Sequence, residues 1–475
     1  MNLFGNLIIV LQLINIIFAL ILIFVERRNA ATTWAWLLFL FVFPGIGLIA
    51  YILFGSNLSN TRLFSQKRLN DILIKKHELK VISPEYNFEG TPGTMKIINF
   101  IKKSSDSPLY EDNSMEIFSR GEDKFSALMD DMRKAKSFIH VQYFIIKPDT
   151  LGEEILEILT AKAKEGLEVR ILADAAGSKF LSKKYFKNFK EAGGKISFFF
   201  PSLIPFINIR LNYRNHRKIV VIDGEIGYIG GFNIGNEYLG KNKFFGHWRD
   251  AHLRIRGSAV MELEERFLLD YGYATDDNYE LKENYFPQIL RSIGTPIQII
   301  SDGPDTEEQY IKNAFLKMIT SAEKSIYIET PYFIPDDSIK DALKVAANSG
   351  VDVKIIIPNK PDHPFVYWAS YSYIGELLPS GVRVFTYEKG FIHSKIILVD
   401  EQVCSIGTTN IDIRSFKLNF EINAFVYGKE ACCRFVEICE ADLRNSKEIT
   451  LEIYKNRSFK IKFKEAISRL FSPIL

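Results

Sequence analysis

One nine-residue pattern occurs twice in this chain and strongly limits what the chain can fold into. Residues 215–223 read NHRKIVVID and residues 392–400 read IHSKIILVD, so a histidine is followed by lysine at +2 and by aspartate at +7. By chance roughly one histidine in 250 would meet both conditions, yet two of the seven histidines do so. A glycine at +14 and an asparagine at +17 also recur, as Gly230 with Asn233 and as Gly407 with Asn410. The sequence therefore contains an internal repeat.

The repeat extends beyond the motif to alternating strands and helices. In each half an apolar strand, an amphipathic helix and a second apolar strand precede the motif; they are 137–146, 151–166 and 167–174, then 325–334, 337–350 and 351–358. Strand, helix and strand in this order form a βαβ unit, and short apolar strands suit a sheet covered on both faces. The sequence predicts an α/β fold of two tandem domains packed side by side, at residues 111–290 and 291–475.

The two halves differ in length just before the motif. The first half carries about ten extra residues there, largely PSLIPFINIRLNY at 201–213. An insertion of this size with two prolines predicts a loop, and loops on an α/β scaffold commonly carry function. Two interpretations stay open, namely an apolar lip that dips into lipid beside the site, or a buried loop that packs on the partner domain.

The N-terminus differs in composition from the rest of the chain. Residues 3–25 and 34–54 contain no charged side chain, and each is long enough to cross roughly 30 Å of hydrocarbon as a helix. They predict a transmembrane hairpin over residues 1–57, followed by a linker with an amphipathic segment over 58–110. A cleaved signal peptide is the alternative, but the start MNLFGN lacks a basic region and a second apolar span follows at once. The basic residues between 62 and 76 favour a cytoplasmic remainder.

Charge and cysteine usage limit the partners and the compartment. The formal net charge is only +3 over 475 residues, which gives no global basic character of the kind that favours nucleic acid, so no nucleic-acid partner is predicted. The four cysteines all lie in the last quarter of the chain without zinc-site spacing. They predict thiols in a reducing compartment. Neither a metal nor another cofactor is predicted.

The paired motifs bring together groups suited to one kind of chemistry. Alternate side chains of a strand share a face, so His216 projects with Lys218 and His393 projects with Lys395. Packing the halves together would gather two imidazoles and two ammonium groups, an arrangement suited to displacement at a phosphodiester. One imidazole would attack phosphorus while the other moves protons, and the lysines would offset charge on the phosphoryl oxygens.

The motif aspartates, Asp223 and Asp400, complete the candidate catalytic set but stand at an odd offset, where each strand should end. We therefore expect them to orient or support the strand rather than to touch the substrate. The five other histidines have no repeated counterpart and are expected to be structural, although His363 follows the loop of the second half and could lie near the site.

At these residues the chain resembles the phospholipase D superfamily, whose hallmark is His-x-Lys-x4-Asp with downstream glycine and asparagine in each of two α/β halves. The resemblance covers roughly residues 110–475. Residues 227–240, 247–257 and 407–423, together with the N-terminal hairpin, further resemble the bacterial cardiolipin synthases over the whole chain.

The resemblance implies a role for each site residue. His216 would be the nucleophile and His393 the general acid and base. The phosphoryl oxygens would be bound by Lys218, Lys395, Asn233 and Asn410. Asp250 and Glu421 would each hydrogen-bond a histidine and fix its tautomer. Many members of the superfamily have Ser or Thr after the motif glycine, whereas this chain has Thr408 in one half and Gly231 in the other, so no catalytic role is assigned to that position.

The implied activity is phosphatidyl transfer, in which two phosphatidylglycerol molecules give cardiolipin and glycerol at a bacterial plasma membrane. A hydrolytic phospholipase D acting on lipid is the alternative for the same residues; a membrane-anchored nuclease or a non-catalytic scaffold fits them less well. The C-terminal segment 456–475 mixes lysines with phenylalanines. It predicts either an interfacial surface on anionic lipid or a final strand and helix packed on the second domain. The sequence leaves the oligomeric state open.

Overall fold

The computed structural model of this chain describes residues 3–24, 30–43, 45–51, 64, 67, 71, 87–201, 212–275, 282–287, 293–306 and 308–472. The chain divides into two compact units. One unit comprises residues 1–76 and 202–213, and the other comprises residues 77–201 and 214–475. Most of the predicted loop at 201–213 lies outside the described residues.

The described residues of the smaller unit include the helices α1 (Leu3–Phe24), α2 (Ala30–Val42) and α3 (Ile46–Ala50). The helix predicted over 34–54 is interrupted after α2, because Gly45 has a φ of 85° and an α-helix cannot continue through a left-handed residue. The buried ring of Tyr51 packs edge-on against Trp36, with 5.1 Å between ring centroids. Within the described part of the chain, no helix combines the length and the apolar character that a membrane crossing requires.

In its described residues the larger unit starts with α4 (Pro92–Ser105) and a first α/β half. Its strands are β1 (Tyr110–Arg120), β2 (Phe138–Tyr143), β3 (Glu168–Asp174), β4 (Lys195–Phe199), β5 (Arg214–Asn215), β6 (Ile219–Ile222), β7 (Ile226–Gly230) and β8 (His247–Arg256). Its helices are α5 (Gly121–Lys134), α6 (Thr150–Lys164), α7 (Lys187–Glu191) and α8 (Val260–Thr275), with 3-10 turns at Asn236–Leu239 and Glu283–Tyr285.

The second half repeats this order and adds helices at its C-terminus. Its strands are β9 (Thr295–Asp302), β10 (Ser325–Glu329), β11 (Phe333–Ile334), β12 (Asp352–Pro358), β13 (Arg383–Tyr387), β14 (Gly390–Ile392), β15 (Ile396–Val399), β16 (Val403–Gly407), β17 (Ile411–Asp412), β18 (Asn419–Tyr427) and β19 (Ser446–Glu448). Its helices are α9 (Tyr310–Thr320), α10 (Asp337–Asn348), α11 (Pro364–Leu377), α12 (Ile413–Lys417), α13 (Lys429–Arg444), α14 (Leu451–Lys455) and α15 (Phe459–Leu470), with a 3-10 turn at Leu378–Ser380.

The two halves form equivalent mixed sheets. The strand order is β4-β3-β2-β6-β7-β8-β1 in the first half and β13-β12-β10-β15-β16-β18-β9 in the second. This repeat confirms the prediction of two similar α/β domains. Short strand pairs also cross between the halves, since β5 runs parallel to β18 and β14 runs parallel to β8. These crossing pairs position the motif histidines, which follow β5 and β14 directly.

The described end of the predicted linker is part of a domain core. The helix α4 begins at an N-cap in which the Thr91 hydroxyl accepts a hydrogen bond from the amide of Thr94 at 3.2 Å. Its buried side chains Ile97, Ile98 and Ile101 belong to the hydrophobic core of the second half. An amphipathic helix buries such a stripe wherever an apolar surface is available, so α4 contributes to the stability of the second half.

The motif aspartates bind backbone amides at the ends of β6 and β15. The Asp223 carboxylate accepts hydrogen bonds from the amides of residues 136–138 at 2.7–3.0 Å. The Asp400 carboxylate accepts from the amides of residues 323–325 at 2.7–2.9 Å. Both aspartates have left-handed φ angles, 55° and 51°, which Asp tolerates better than most residues. Each carboxylate therefore fixes the chain where it enters β2 or β10.

We expect Asp223→Ala to lower the free energy of unfolding by about 2–4 kcal/mol, because three amides, two of them in partly buried bonds, lose a charged acceptor. Asp223→Asn should lose less, since its carbonyl oxygen can still accept two of the three bonds. Thermal melting of the purified variants measures the effect. An unchanged melting temperature in Asp223→Ala would contradict the supporting role.

Candidate active site

Each motif histidine is held by a strand of the opposite half. The amide of His216, between β5 and β6, donates to the carbonyl of Phe420 in β18 at 2.9 Å. The amide of His393, between β14 and β15, donates to the carbonyl of Arg249 in β8 at 2.7 Å. The backbone of both histidines is thus fixed by contacts between the two halves.

The side chains of the histidines also bind carboxylates of the opposite half. The Nδ1 of His216 lies 3.0 Å from both carboxylate oxygens of Glu421. The Nδ1 of His393 lies 2.6 Å from Oδ2 of Asp250. Both carboxylates are fully buried. The sequence pointed to Asp250 and Glu421 as histidine partners but did not indicate that each reaches across to the other half.

Electrostatics keeps both carboxylates ionised. Burial raises the pKa of Asp250, but Lys395 and His393 outweigh it, so that its net pKa lies below the usual value. Burial likewise raises the pKa of Glu421, which His216 and Lys218 bring below its usual value. Ionised carboxylates only accept hydrogen bonds, so each histidine donates from Nδ1 and carries its lone pair on Nε2.

The lysines lie against the backbone of the histidines. The ammonium of Lys218 donates to the carbonyl of His216 at 2.6 Å, and the ammonium of Lys395 donates to the carbonyl of His393. Lys395 also lies 2.9 Å from Nδ1 of His393, which cannot accept from Lys395 while it donates to Asp250. The shorter contact to an ionised carboxylate favours donation to Asp250.

Burial shifts the titration of all four motif side chains. It lowers the pKa of His216 to about 4, although Glu421 opposes the shift. It also lowers the pKa of Lys218 to about 7 and that of Lys395 to about 8. Burial and then Lys395 lower the pKa of His393. Lys395 contributes to the lowered pKa of His216 and Lys218 as well, so the motif side chains of both halves share one site.

The two motif asparagines differ in their hydrogen bonds. Asn233 accepts from the amide of Ile145 at 3.1 Å and donates to the hydroxyl of Tyr238 at 3.0 Å. The Oδ1 of Asn410 is buried and has no hydrogen-bond partner among the described residues. One amide is therefore held in place by protein groups, whereas the other retains an unused acceptor.

Gly231 and Thr408 occupy equivalent positions in the repeat. The amide of Gly231 donates to the carbonyl of Ala251, the residue after Asp250, and the amide of Thr408 donates to the carbonyl of Ile422, the residue after Glu421. In the second half the Thr408 hydroxyl accepts the amide of Ile422 at 2.9 Å. In the first half Oδ1 of Asp250 itself accepts the amide of Ala251 at 2.8 Å. A Cβ atom on Gly231 would lie 1.9 Å from that oxygen. The Asp250 side chain thus fills the space that the hydroxyl occupies in the other half.

Two buried arginines bind the backbone of the carboxylate residues Glu421 and Asp250. Neither arginine was singled out from the sequence. Arg217 donates to the carbonyl of Glu421 at 3.0 Å, and Arg249 donates to the carbonyl of Asp250. Their guanidinium groups also pair with buried aspartates of α8 and α13, Asp270 at 2.6 Å and Asp442 at 2.7 Å. Arg217 is the variable residue of its motif. A charged residue at that position, next to an apolar strand, was the sequence signal that could have indicated a buried ion pair.

Aromatic rings surround both imidazoles. Phe144 packs edge-on against His216 with 5.1 Å between centroids, and Trp248 lies 5.3 Å from His393. Tyr332 lies 6.4 Å from His393 and 6.4 Å from His363, so His363 is one ring removed from the site. Within the described ranges no cluster of three or more His, Cys, Asp or Glu side chains is arranged to hold a metal ion.

We expect Gly231→Thr to lower turnover of a phosphodiester substrate about 10–100-fold, by analogy with the loss of a carboxylate that orients a metal-bound histidine. The reason is steric, because the new Cβ would displace the Asp250 carboxylate from His393. Steady-state kinetics measures the effect. Adding Asp250→Glu to Gly231→Thr rebuilds the arrangement of the second half and should restore part of the activity.

Gly227→Ala is the matched control, since it adds a Cβ four residues before Gly231, within β7, against the side chain of Leu263 rather than against Asp250. It should retain most of the turnover. Full activity in Gly231→Thr alone would show that the Asp250 contact is dispensable.

Comparison with known proteins agrees with this geometry. A family model described as cardiolipin synthase, phospholipase D-like domain, matches residues 128–246 and 315–443, one segment in each half. A second model, described as phospholipase D-nuclease N-terminal, matches residues 13–56.

Similar proteins extend the match to the full length. The chain is 48% identical to the major cardiolipin synthase ClsA of Bacillus subtilis, over 98% of each chain. It is 46% identical to a cardiolipin synthase of Listeria innocua, over 100% of each chain. A solved phosphatidylserine synthase of Haemophilus influenzae shares the fold, with a TM-score of 0.60 and 16% identity over 80% of this chain and 100% of that one. The chain therefore belongs to the cardiolipin synthase family of phospholipase D-like proteins.

Proposed function

We propose that this protein is a phosphatidyltransferase that converts two phosphatidylglycerol molecules into cardiolipin and glycerol through a phosphohistidine intermediate. The observation that carries the proposal is the pair of buried imidazoles, each hydrogen-bonded at Nδ1 to a carboxylate of the opposite half. The names of the full-length relatives support the choice of cardiolipin as the product.

The first step is attack by His216 on the phosphorus of one phosphatidylglycerol. Its pKa of about 4 keeps the imidazole neutral at physiological pH, and donation from Nδ1 to Glu421 leaves Nε2 with the lone pair. As the bond between Nε2 and phosphorus forms, the bond from phosphorus to the headgroup glycerol breaks. Glu421 stabilises the positive charge that develops on the imidazole.

His393 moves the protons of both steps. The negative charge of a bound phosphodiester raises its pKa and favours the imidazolium, which protonates the departing glycerol oxygen from Nε2. The neutral imidazole then takes the proton of the terminal hydroxyl of a second phosphatidylglycerol. That oxygen attacks phosphorus, the bond to His216 breaks, and cardiolipin is released with His393 protonated again.

Lys218 and Lys395 offset the charge on the non-bridging oxygens, together with the amide groups of Asn233 and Asn410. Both ammonium groups are buried, so their charge acts in a medium of low dielectric constant. The rings of Phe144 and Trp248 beside the histidines favour lipid over water as the acceptor. This lining favours transfer over the hydrolytic alternative.

We further propose that residues 1–57 anchor the enzyme in the bacterial plasma membrane as a two-span hairpin, with the catalytic halves in the cytoplasm. The support is the absence of charge from residues 3–25 and 34–54 and the basic residues that follow them. Anchoring keeps the site at the surface where both lipid substrates are found.

Purified enzyme with phosphatidylglycerol vesicles and EDTA should form cardiolipin and free glycerol in comparable amounts, because the proposed steps use side chains alone. Lipid chromatography and a glycerol assay measure the products. Phosphatidic acid as the main product would indicate hydrolysis, and loss of activity with EDTA would contradict the metal-free steps. His216→Ala should form no covalent phosphatidyl-enzyme, whereas His393→Ala should accumulate one from a substrate with a good leaving group.

The pH dependence should be bell-shaped. As pH rises through about 4, His216 becomes neutral and kcat/KM should rise. At higher pH His393, Lys218 and Lys395 lose their protons and activity should fall. Bound phosphodiester raises the pKa of these three groups, so the falling limb of kcat should lie at higher pH than that of kcat/KM. Steady-state rates across both limbs measure this; the reverse order would contradict the assignment.

A further inference from the structure

The C-terminal helix α15 presents a continuous apolar stripe to its surroundings. Phe459, Phe463, Ile467 and Leu470 are spaced by four, four and three residues, and their exposed fractions are 82%, 58%, 37% and 74%. At about 100° per residue, these side chains fall within about 80° of the helix circumference. We call these four residues the apolar stripe.

The opposite face of α15 is fastened to the protein. The buried carboxylate of Glu465 accepts hydrogen bonds from Arg457 at 2.7–2.9 Å. The guanidinium of Arg469 donates to the hydroxyl of Ser372 at 3.2 Å and lies 4.6 Å from the ring centroid of Tyr373 in α11. The helix cannot rotate to bury the apolar stripe without breaking these contacts.

The exposed charge of α15 is positive on both sides of the stripe. Relative to Phe459, the exposed Lys460 lies about 100° to one side and the exposed Lys462 lies about 60° to the other. The acidic residue of the helix, Glu465, is buried against Arg457. Lysines beside an apolar stripe can keep their ammonium groups among lipid phosphates while their methylene chains cover the acyl boundary.

Two more exposed phenylalanine rings lie beside the C-terminal end of α15. The ring of Phe471, which follows α15, packs edge-on against Phe365 of α11, with 5.6 Å between centroids. Phe365 is 54% exposed. Three residues earlier in the chain, Asp362 accepts a hydrogen bond from Tyr332, whose ring lies 6.4 Å from His393. Phe365 is therefore three residues in sequence from a carboxylate that binds a ring beside the general acid of the proposed reaction.

We infer that the apolar stripe, with Phe365 and Phe471, docks onto an anionic bilayer with α15 lying in the membrane interface, and that docking turns the His393 side of the site toward lipid. A second copy of the chain fits less well, because a symmetric contact would bring two lysine-flanked faces of the same positive charge together, whereas an anionic bilayer offsets that charge. The inference rests on the proposed function only for the choice of phosphatidylglycerol as the anionic lipid.

Fluorescence quenching in the full-length protein tests the docking. Cys433 is the exposed cysteine, while Cys404, Cys432 and Cys439 are buried, so Cys433→Ser with Phe463→Cys leaves one accessible thiol for an environment-sensitive dye. In phosphatidylglycerol vesicles that contain nitroxide-labelled acyl chains, we expect strong quenching of this dye. The matched control carries the dye through Ile293→Cys, at an apolar residue that is 83% exposed outside α11 and α15, and should be quenched much less.

Equal quenching at positions 463 and 293 would overturn the docking surface. Equal quenching at position 463 in phosphatidylcholine and phosphatidylglycerol vesicles would overturn the anionic preference. Quenching needs no turnover, so its failure is distinguishable from a failure of the proposed reaction. As a second measurement, Phe463→Glu with Leu470→Glu should lower turnover on vesicles at least about tenfold, a difference of about 1.4 kcal/mol, while turnover of detergent-dispersed phosphatidylglycerol stays unchanged. An equal loss on both substrates would overturn it.

Discussion

The hydrogen bond from each histidine to a carboxylate of the opposite half is the interaction on which the site depends. It fixes the tautomer of His216 through Glu421 and that of His393 through Asp250. The same crossing occurs in the backbone, because the amide of each histidine binds a carbonyl next to the carboxylate that holds its ring. The two halves must therefore be packed together before either histidine is oriented, and the fold and the site form as one unit.

Burial of the motif lysines and histidines explains why each histidine needs a carboxylate partner. Two lysines and two imidazoles in one buried site would repel one another if all were charged, and burial lowers the pKa of each. Two ionised carboxylates offset part of this cost by hydrogen-bonding the rings. Arg217 and Arg249 bind the backbone of the same carboxylate residues. The position of the reactive groups is thus set by buried carboxylates and arginines, of which Arg217 belongs to the motif itself.

The repeated His-x-Lys spacing, together with the strand, helix and strand pattern before each motif, predicted two similar α/β halves and one shared site. The crossed pairing of Asp250 and Glu421 could not be predicted, because a repeat shows which positions are equivalent but not which half supplies a given contact. The break in the second N-terminal helix was missed because the helix over 34–54 was predicted from the length of the uncharged stretch alone. The Pro44-Gly45 dipeptide within that stretch was the signal for a break. The supporting role of Asp223 and Asp400 was anticipated from their odd offset along the strand, and their amide contacts agree with it.

The crossed contacts have a consequence for how a chain of this kind can diverge. Two identical copies of one half, related by a twofold axis, could make the same pair of histidine–carboxylate bonds. Because both copies would have one sequence, any substitution would then change the surroundings of both histidines. Within a single chain that constraint is absent. One half can pair glycine with aspartate while the other pairs threonine with glutamate, as Gly231 with Asp250 and Thr408 with Glu421 do. Because the two halves belong to one chain, a substitution can change the surroundings of one histidine without changing those of the other.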